Sequence, residues 1–296
     1  MKLSVIIPCH PSSRPTLPRT LRSLETASSG LDVETLVVDD LESRGLSWAR
    51  NRGLDRATGD IVFFVDADDT VKPDYFRRLS SLLEETEADF VLTSTDYAPL
   101  KRDYTAVGNA AVRAALLPAF FGYSAEDVRR WNAGGDLMLL REQGGVWRCA
   151  FRGAFLDRHG IRFDERLRVF EDAPFIAECA CFAERVASAD DRLYEYAPGP
   201  GGILANYRRS GLYWDYKFAA LENRRGIARR AGGDVMRHFS ASAVFSALEL
   251  FRGRRDWRRY VSDPFVARAL RDFPLSVRHP LVAGAVLALR ALTPRP

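Results

Sequence analysis

Short, largely apolar runs alternate with stretches of helical spacing through the first hundred residues, and nothing else in the chain constrains its fold as tightly. Leu3-Ser4-Val5-Ile6-Ile7, Val33-Glu34-Thr35-Leu36-Val37-Val38 and Ile61-Val62-Phe63-Phe64-Val65 are too brief for buried helices, rich in β-branched residues, and end in Pro8, Asp39-Asp40 and Asp66. Such runs read as strands covered on both faces. Between them, Leu17, Leu21 and Leu24 recur at helical spacing within 15–27, and 47–58 reads as a second helix with Ser47 as N-cap and Gly59 as its stop. A third helix follows Pro73, and Phe90-Val91-Leu92 resumes the sheet. The alternation predicts an α/β layer: a Rossmann-type, mainly parallel sheet flanked by helices.

Beyond residue 98 the pattern loosens. Residues 98–205 mix short apolar runs with Gly-Gly pairs at 134–135, 144–145 and 201–202, which predicts loops that shape a substrate site rather than a second regular sheet. From 206 onward Leu212, Tyr216, Ala219 and Ala220, then Val244, Leu248 and Phe251, recur at helical intervals, so a helical C-terminal region is expected. The chain accordingly divides into 1–97, 98–205 and 206–296. With 296 residues and 47% apolar content it can bury a sizeable core.

Charge is distributed unevenly. Residues 1–204 carry 25 Lys and Arg against 32 Asp and Glu, a net of −7, whereas 205–296 carry 18 against 7, a net of +11. The basic tail is either a solvated helical face or a contact for an anionic surface. Arg252, Arg254, Arg255, Arg258 and Arg259 interleave with Phe251, Trp257 and Tyr260, a combination suited to peripheral contact with a membrane. No nucleic-acid-reading motif accompanies the charge, so nucleic acid is not an expected partner. Cys9, Cys149, Cys179 and Cys181 show neither a CxxC spacing nor a histidine cluster, which excludes a zinc site or disulfide framework as the expectation and favours a reducing, cytoplasmic setting. The opening apolar run lacks the length of a signal peptide, and Leu281 to Leu289 falls short of the roughly 20 residues a spanning helix needs.

The sharpest chemical feature is Val65-Asp66-Ala67-Asp68-Asp69, three carboxylates closing an apolar strand. Ligands of open α/β sheets bind beyond the carboxyl ends of strands. In an extended segment Asp66 and Asp68 would project to the same side and converge on one Mg²⁺ or Mn²⁺, with phosphate oxygens completing its shell. The alternative is a polar turn capping the next helix. Other strand exits carry candidates too: Pro8-Cys9-His10-Pro11, Asp39-Asp40, and Ser47-Trp48-Ala49-Arg50-Asn51-Arg52-Gly53, in which Arg50 and Asn51 have the reach to contact a base or phosphate.

Taken in order, Val-Ile-Ile-Pro-Cys-His, Leu-Val-Val-Asp-Asp, Ala-Arg-Asn-Arg-Gly and Gly-Asp-Ile-Val-Phe-Phe-Val-Asp-Ala-Asp-Asp resemble the family-2 inverting glycosyltransferases of GT-A fold, the bacterial capsule and envelope-glycan type. The resemblance implies a nucleotide-sugar-binding half at 1–97, an acceptor-binding and catalytic half at 98–205, a nucleoside-diphosphate-sugar donor, a divalent metal, and a glycan or lipid-linked acceptor. By position it makes Asp40 the base-contacting acid, Asp66 and Asp68 the metal and ribose acids, and Pro8 the nucleotide-facing turn, with His10, Arg50, Asn51 and Ala67 beside the nucleotide sugar. Phe170-Glu171-Asp172-Ala173-Pro174-Phe175 resembles the family's Glu-Asp element, which implies Asp172 as catalytic base with Glu171 in reserve. A charged helix N-terminus is the plainer reading of the same residues. The chain departs from the family in carrying only nine residues between Asp40 and Arg50, where a further helix and strand are usual, and in placing Pro11 and Leu41 where Asn and Gly are usual. A nucleotidyltransferase is a second enzymatic reading, but 8–20 hold neither the Gly nor the Lys of its phosphate loop. A non-catalytic glycan- or lipid-binding descendant of the fold is the third.

Overall fold

The computed structural model describes residues 1–94, 103–135, 145–197, 211–232 and 234–293. The boundaries expected at 97/98 and 205/206 and the Gly201-Gly202 pair lie outside them. In chain order the described residues form β1 (Lys2–Cys9), α1 (Leu17–Ala27), β2 (Asp32–Asp39), α2 (Leu46–Leu54), β3 (Ile61–Phe64), β4 (Thr70–Val71), α3 (Tyr75–Glu85), β5 (Phe90–Ser94), β6 (Tyr104–Val107) and α4 (Asn109–Phe120). There follow α5 (Ala125–Asn132), β7 (Cys149–Arg152), α6 (Gly153–Arg158), α7 (Asp172–Phe182), β8 (Arg185–Arg192) and β9 (Tyr194–Glu195). The remainder is helical: α8 (Leu212–Ala231), α9 (Ser240–Arg252), α10 (Trp257–Val261), α11 (Pro264–Asp272) and α12 (Pro280–Leu292). None of the described helices is long and apolar enough to cross a membrane.

Two compact units emerge, Met1–Leu116 with Leu140–Asn206, and Leu117–Leu139 with Tyr207–Pro296. The first is built on a sheet ordered β2-β1-β3-β7-β5-β8-β6 among the described residues. β1 pairs in parallel with β2 and with β3, so these three strands run the same way and their C-terminal ends, at Cys9, Asp39 and Phe64, share one edge. β2 lies at the margin of the sheet and is the less buried for it. Apolar side chains on both faces of β1 and β3 hold the sheet between helices, with Val5, Ile6, Ile7, Ile61, Phe63 and Phe64 fully buried.

The sheet is mainly parallel, as expected, but three sequence expectations need correction. β7 enters antiparallel between β3 and β5, so Ala150 and Phe151, from the stretch read as loop, lie in the middle of the sheet. Three apolar residues, Cys149 to Phe151, carry too little periodicity to distinguish a buried strand from a loop. The second helix starts and stops earlier than its caps implied: Gly45 is its N-cap, Ser47 turns inward to donate to the Leu167 carbonyl at 2.9 Å, and the helix ends at Leu54. Gly59 instead marks a close approach, since a Cβ there would sit 2.6 Å from the Ser4 backbone nitrogen. The Gly134-Gly135 pair, read as part of a substrate loop, is the stop of α5: Gly134 has φ 99°, its N–H donates to the Trp131 carbonyl and that of Gly135 to the Arg130 carbonyl.

All four cysteines are free and buried. In the second unit Ala220, Val244 and Leu248, named by the helical spacing, are buried, whereas Phe251 is half-buried and Leu212 exposed; Leu250 of α9 and Val266 and Leu270 of α11 are buried beside them. Tyr260, read as part of a membrane-facing surface, is buried there at 1% exposure.

Candidate functional site

Parallel alignment of β2, β1 and β3 brings their exits together, and the acidic turn grows from the last of them. β3 ends at Phe64, so Asp66 to Asp69 is not extended; it is a turn closed by the Asp69 N–H donating to the Asp66 carbonyl at 3.2 Å. The three carboxylates consequently part company. Asp69 is buried and committed inward, accepting from the Tyr194 hydroxyl at 2.6 Å and from the Ala197 N–H at 2.7 Å. Burial, with the charge of Asp66 close by, pushes its carboxyl up to about 7. Asp66 and Asp68 remain partly exposed.

Residues far away in sequence hold this turn. Tyr194 also accepts from the Asp66 N–H at 3.1 Å. From α1 and its N-cap residue Thr16, Thr20 donates to the Ala67 and Asp69 carbonyls at 3.0 and 2.8 Å, Thr16 donates to the Ala67 carbonyl at 3.0 Å, and the Arg19 guanidinium donates to the Asp68 carbonyl. Ala67, expected beside the nucleotide sugar, thus turns its side chain into the core while its carbonyl is taken by two hydroxyls.

Arg50 is the electrostatic centre of the site. Its side chain is 1% exposed and lies among three carboxylates: Nη2 donates to Asp66 Oδ1 at 2.9 Å, and Nη1 donates to Glu171 Oε1 and Asp172 Oδ1, both at 2.7 Å. Its guanidinium also lies 5.3 Å from the centre of the Phe163 ring. An unpaired cation at such depth would be prohibitively costly, and the three carboxylates hold it charged, well above even its ordinary range. Expected to reach a base or phosphate, Arg50 instead joins the end of β3 to the start of α7.

The Glu171-Asp172 element arrives there because the segment before it is fastened to α2. Asn51 pairs with the backbone of Phe163 in both directions, donating to its carbonyl at 3.0 Å and accepting its N–H at 2.9 Å, and donates to Glu165 as well. This commitment, at 6% exposure, replaces the nucleotide contact read from sequence. Ser47 bonds the Leu167 carbonyl, and Arg168 donates to the Ser43 carbonyl at 2.9 Å. Underneath, Phe163 stacks on Phe175 at 4.0 Å between centroids and Phe64 meets both edge-on. Phe170, immediately before the acids, adopts a left-handed φ of 54°, a conformation that costs a bulky residue energy and is kept only where the surroundings enforce it. Asp172 then opens α7, where the helix dipole favours its charge. Burial pushes its carboxyl up to about 7; Arg50 and the Val146 N–H oppose that rise, and Glu171 and Asp66 add to it.

At the other two exits, Asp40 is buried and both its oxygens accept from its own loop, from the Arg44 and Gly45 N–H groups at 2.7 Å each. It shapes the β2–α2 link. Pro8, expected in a turn, is still in β1: it pairs in register with Val38 and is buried, at a level where β1 has passed its last partner on β3, so its missing N–H leaves no gap in the ladder. His10 is exposed; its Nδ1 accepts from the Ser12 N–H and its Nε2 lies 3.0 Å from Ser43 Oγ, tying the β1 exit to the β2–α2 link.

Asp66 and Asp68 are the two carboxylates of the turn left open to solvent, and so the ones that could hold a divalent cation. Asp68 is half-buried, and its carboxyl is raised first by burial and then by the Asp66 charge beside it, a strain a dication relieves. Among the described residues no group of three or more His, Cys, Asp or Glu is spaced to enclose an ion. Phosphate oxygens and water would supply the remaining ligands.

The family described as glycosyl transferase family 2 matches residues 41–143. The match likens 103 of the 296 residues to that family. The matched stretch holds Arg50, Asn51, Asp66 and Asp68, begins one residue after Asp40 and stops short of Glu171 and Asp172. The uncharacterized glycosyltransferase EpsJ of Bacillus subtilis is 31% identical over 164 residues, 54% of this chain and 44% of EpsJ, so the chain spans less than half of that relative. The succinoglycan biosynthesis protein ExoO of Rhizobium meliloti is 26% identical over 304 residues, 90% of this chain and 83% of ExoO. In fold, S. aureus TarS 1–349 in complex with UDP-GlcNAc superposes with a TM-score of 0.61 at 19% identity, over 99% of this chain and 89% of that one. The GT-A-like architecture of the family is therefore shared.

Tyr194, Thr16, Thr20 and Arg19 escaped sequence reasoning. Tyr194 lies 128 residues from the Asp66 amide it accepts from, and no local pattern announces such a contact.

Proposed function

We propose that this protein transfers a sugar from a nucleoside diphosphate to an acceptor hydroxyl with inversion, using a divalent cation at Asp66 and Asp68 and Asp172 as the base. The observation that carries the reading is the convergence on Arg50 of Asp66, at a strand exit, with Glu171 and Asp172, at a helix start. A cation bound there would neutralise the diphosphate as it departs. Asp172 supplies what the acceptor lacks: a hydroxyl is a poor nucleophile until its proton is taken, and a carboxylate held near 7 is matched to that task at neutral pH. As Asp172 accepts the proton, the acceptor oxygen bonds to the anomeric carbon from the face opposite the leaving group. The carbon–oxygen bond to the diphosphate breaks with its electron pair on the departing nucleotide. Arg50 keeps Asp172 and Asp66 oriented throughout, and Glu171, more buried than either, balances the cation.

UDP-sugars are the first donors to try, since TarS binds UDP-GlcNAc, and a glycan or lipid-linked acceptor fits the relationship to ExoO. Titration of UDP and UDP-sugars with and without Mn²⁺, on the wild type and on Asp68→Ala, tests the donor site. Metal-dependent binding lost in the variant supports the reading. Failure of every nucleoside diphosphate and nucleotide sugar to bind with metal would refute it and favour a non-catalytic descendant of the fold.

A further inference from the structure

The C-terminal unit carries an apolar surface that no element of the chain's described part covers. Eleven large hydrophobic residues are exposed among those described, and five of them, Leu275, Val277, Leu281, Leu287 and Leu292, fall within residues 275–292. Val277 is 96% exposed and Leu281 84%. Along α12 the solvent-facing stripe consists of Leu281, Gly284, Leu287, Ala288, Ala291 and Leu292, without one polar side chain. The helix cannot roll this stripe inward. Its opposite side is occupied by buried Val286 and Leu289; Arg290, its one polar side chain, donates to the Leu270 and Phe273 carbonyls at 2.6 and 2.7 Å; and His279, just before it, stacks on Trp131 at 3.6 Å.

We propose that α12 and the preceding Leu275–Val277 segment form an interfacial docking surface for an anionic lipid bilayer. Charge supports this occupant: none of residues 273–296 is acidic, while Arg271 and Arg278, which precede α12 in the chain, are exposed and residues 205–296 carry a net +11. Size argues against a second copy of the chain. Thirteen helical residues span about 20 Å, and a stripe about 10 Å wide offers on the order of 200 Å² per partner, against roughly 600 Å² per partner at the lower limit of a stable interface. A bilayer sets no such threshold, because a Leu-rich stripe sinks into the acyl boundary while flanking arginines meet anionic headgroups. The surface thus differs from the one the sequence pointed to, since Tyr260 is buried and Phe251 packs its ring against Trp257. The proposal is independent of the sugar chemistry.

The test is co-sedimentation of the full chain with vesicles of pure phosphatidylcholine or with about 30% phosphatidylglycerol, at about 0.05 M and 0.5 M salt. Binding is expected to the anionic vesicles only, to weaken at high salt, and to fall at least about tenfold in Leu281→Asp with Leu287→Asp, both exposed positions whose change leaves the fold intact by circular dichroism. Absence of binding to anionic vesicles at low salt, or equal binding by the double variant, overturns the proposal. So does a wild-type dimer in sedimentation equilibrium that the double variant converts to monomer, which would assign the surface to a second copy.

Discussion

Replacing Arg50 by Met probes the centre of the site with little change of volume. Removal of the guanidinium leaves Asp66, Glu171 and Asp172 around a site with no cation, their side chains only 22%, 6% and 15% exposed. Breaking a buried ion pair from one side costs about 3–5 kcal/mol, and losing the contact with Phe163 adds roughly 0.5 kcal/mol. The partial exposure of Asp66 and Asp172 admits water, so the loss is expected at about 4 kcal/mol at pH 8, roughly a quarter or more of an ordinary domain's stability. Its pH dependence follows from linkage. Asp172, whose carboxyl burial already raises, loses in the variant the guanidinium that opposes the rise, so the folded variant holds an extra proton in that window and loses stability as pH rises through it. The deficit relative to wild type is therefore largest at pH 8 and smaller at pH 5. Arg50→Lys, keeping a charge but not the planar fork, falls between. Urea unfolding at both pH values and fixed ionic strength measures the gap; a loss below about 1 kcal/mol, or one that does not change with pH, would refute the account of Arg50 as the cation that makes this acid cluster tenable.

Further consequences concern the base, the turn and the sheet. Asp172→Asn is expected to lower transfer by roughly 10²–10⁴-fold while leaving donor binding in place, and the wild-type rate should rise as pH passes through about 7 because the base works only deprotonated; donor titration beside a pH–rate profile checks both. Tyr194→Phe strips Asp69 of one of its two donors and the Asp66 N–H of its acceptor, and should cost about 1–3 kcal/mol by chemical denaturation. Gly53→Ala places a Cβ 2.2 Å from Ile6 Cγ2, where α2 lies directly on buried β1, and should cost roughly 1–3 kcal/mol in the same assay.

The chain's own order of residues determined the α/β layer. β1, β2, β3, α1 and α3 lie where apolar runs and helical spacing put them, since these signals are local and each element's burial is written in its own periodicity. The C-terminal helices were legible for the same reason. So was the place of the acidic turn, because a strand exit can be read from where an apolar run stops.

What the carboxylates do once there was decided by tertiary structure. Asp66, Asp68 and Asp69 are indistinguishable as a string, yet Asp69 is turned inward by a tyrosine from β9, while Asp66 is paired through Arg50 with acids more than a hundred residues away. Arg50 and Asn51, read from sequence as neighbouring ligand contacts, divide their labour: one gathers charges, the other pins the backbone of Phe163. β7 and the arrival of α7 beside α2 escaped notice on the same ground. Hydrogen bonds and ion pairs between distant segments depend on which surfaces the packed core brings within about 3 Å, and no periodicity along the chain encodes that distance.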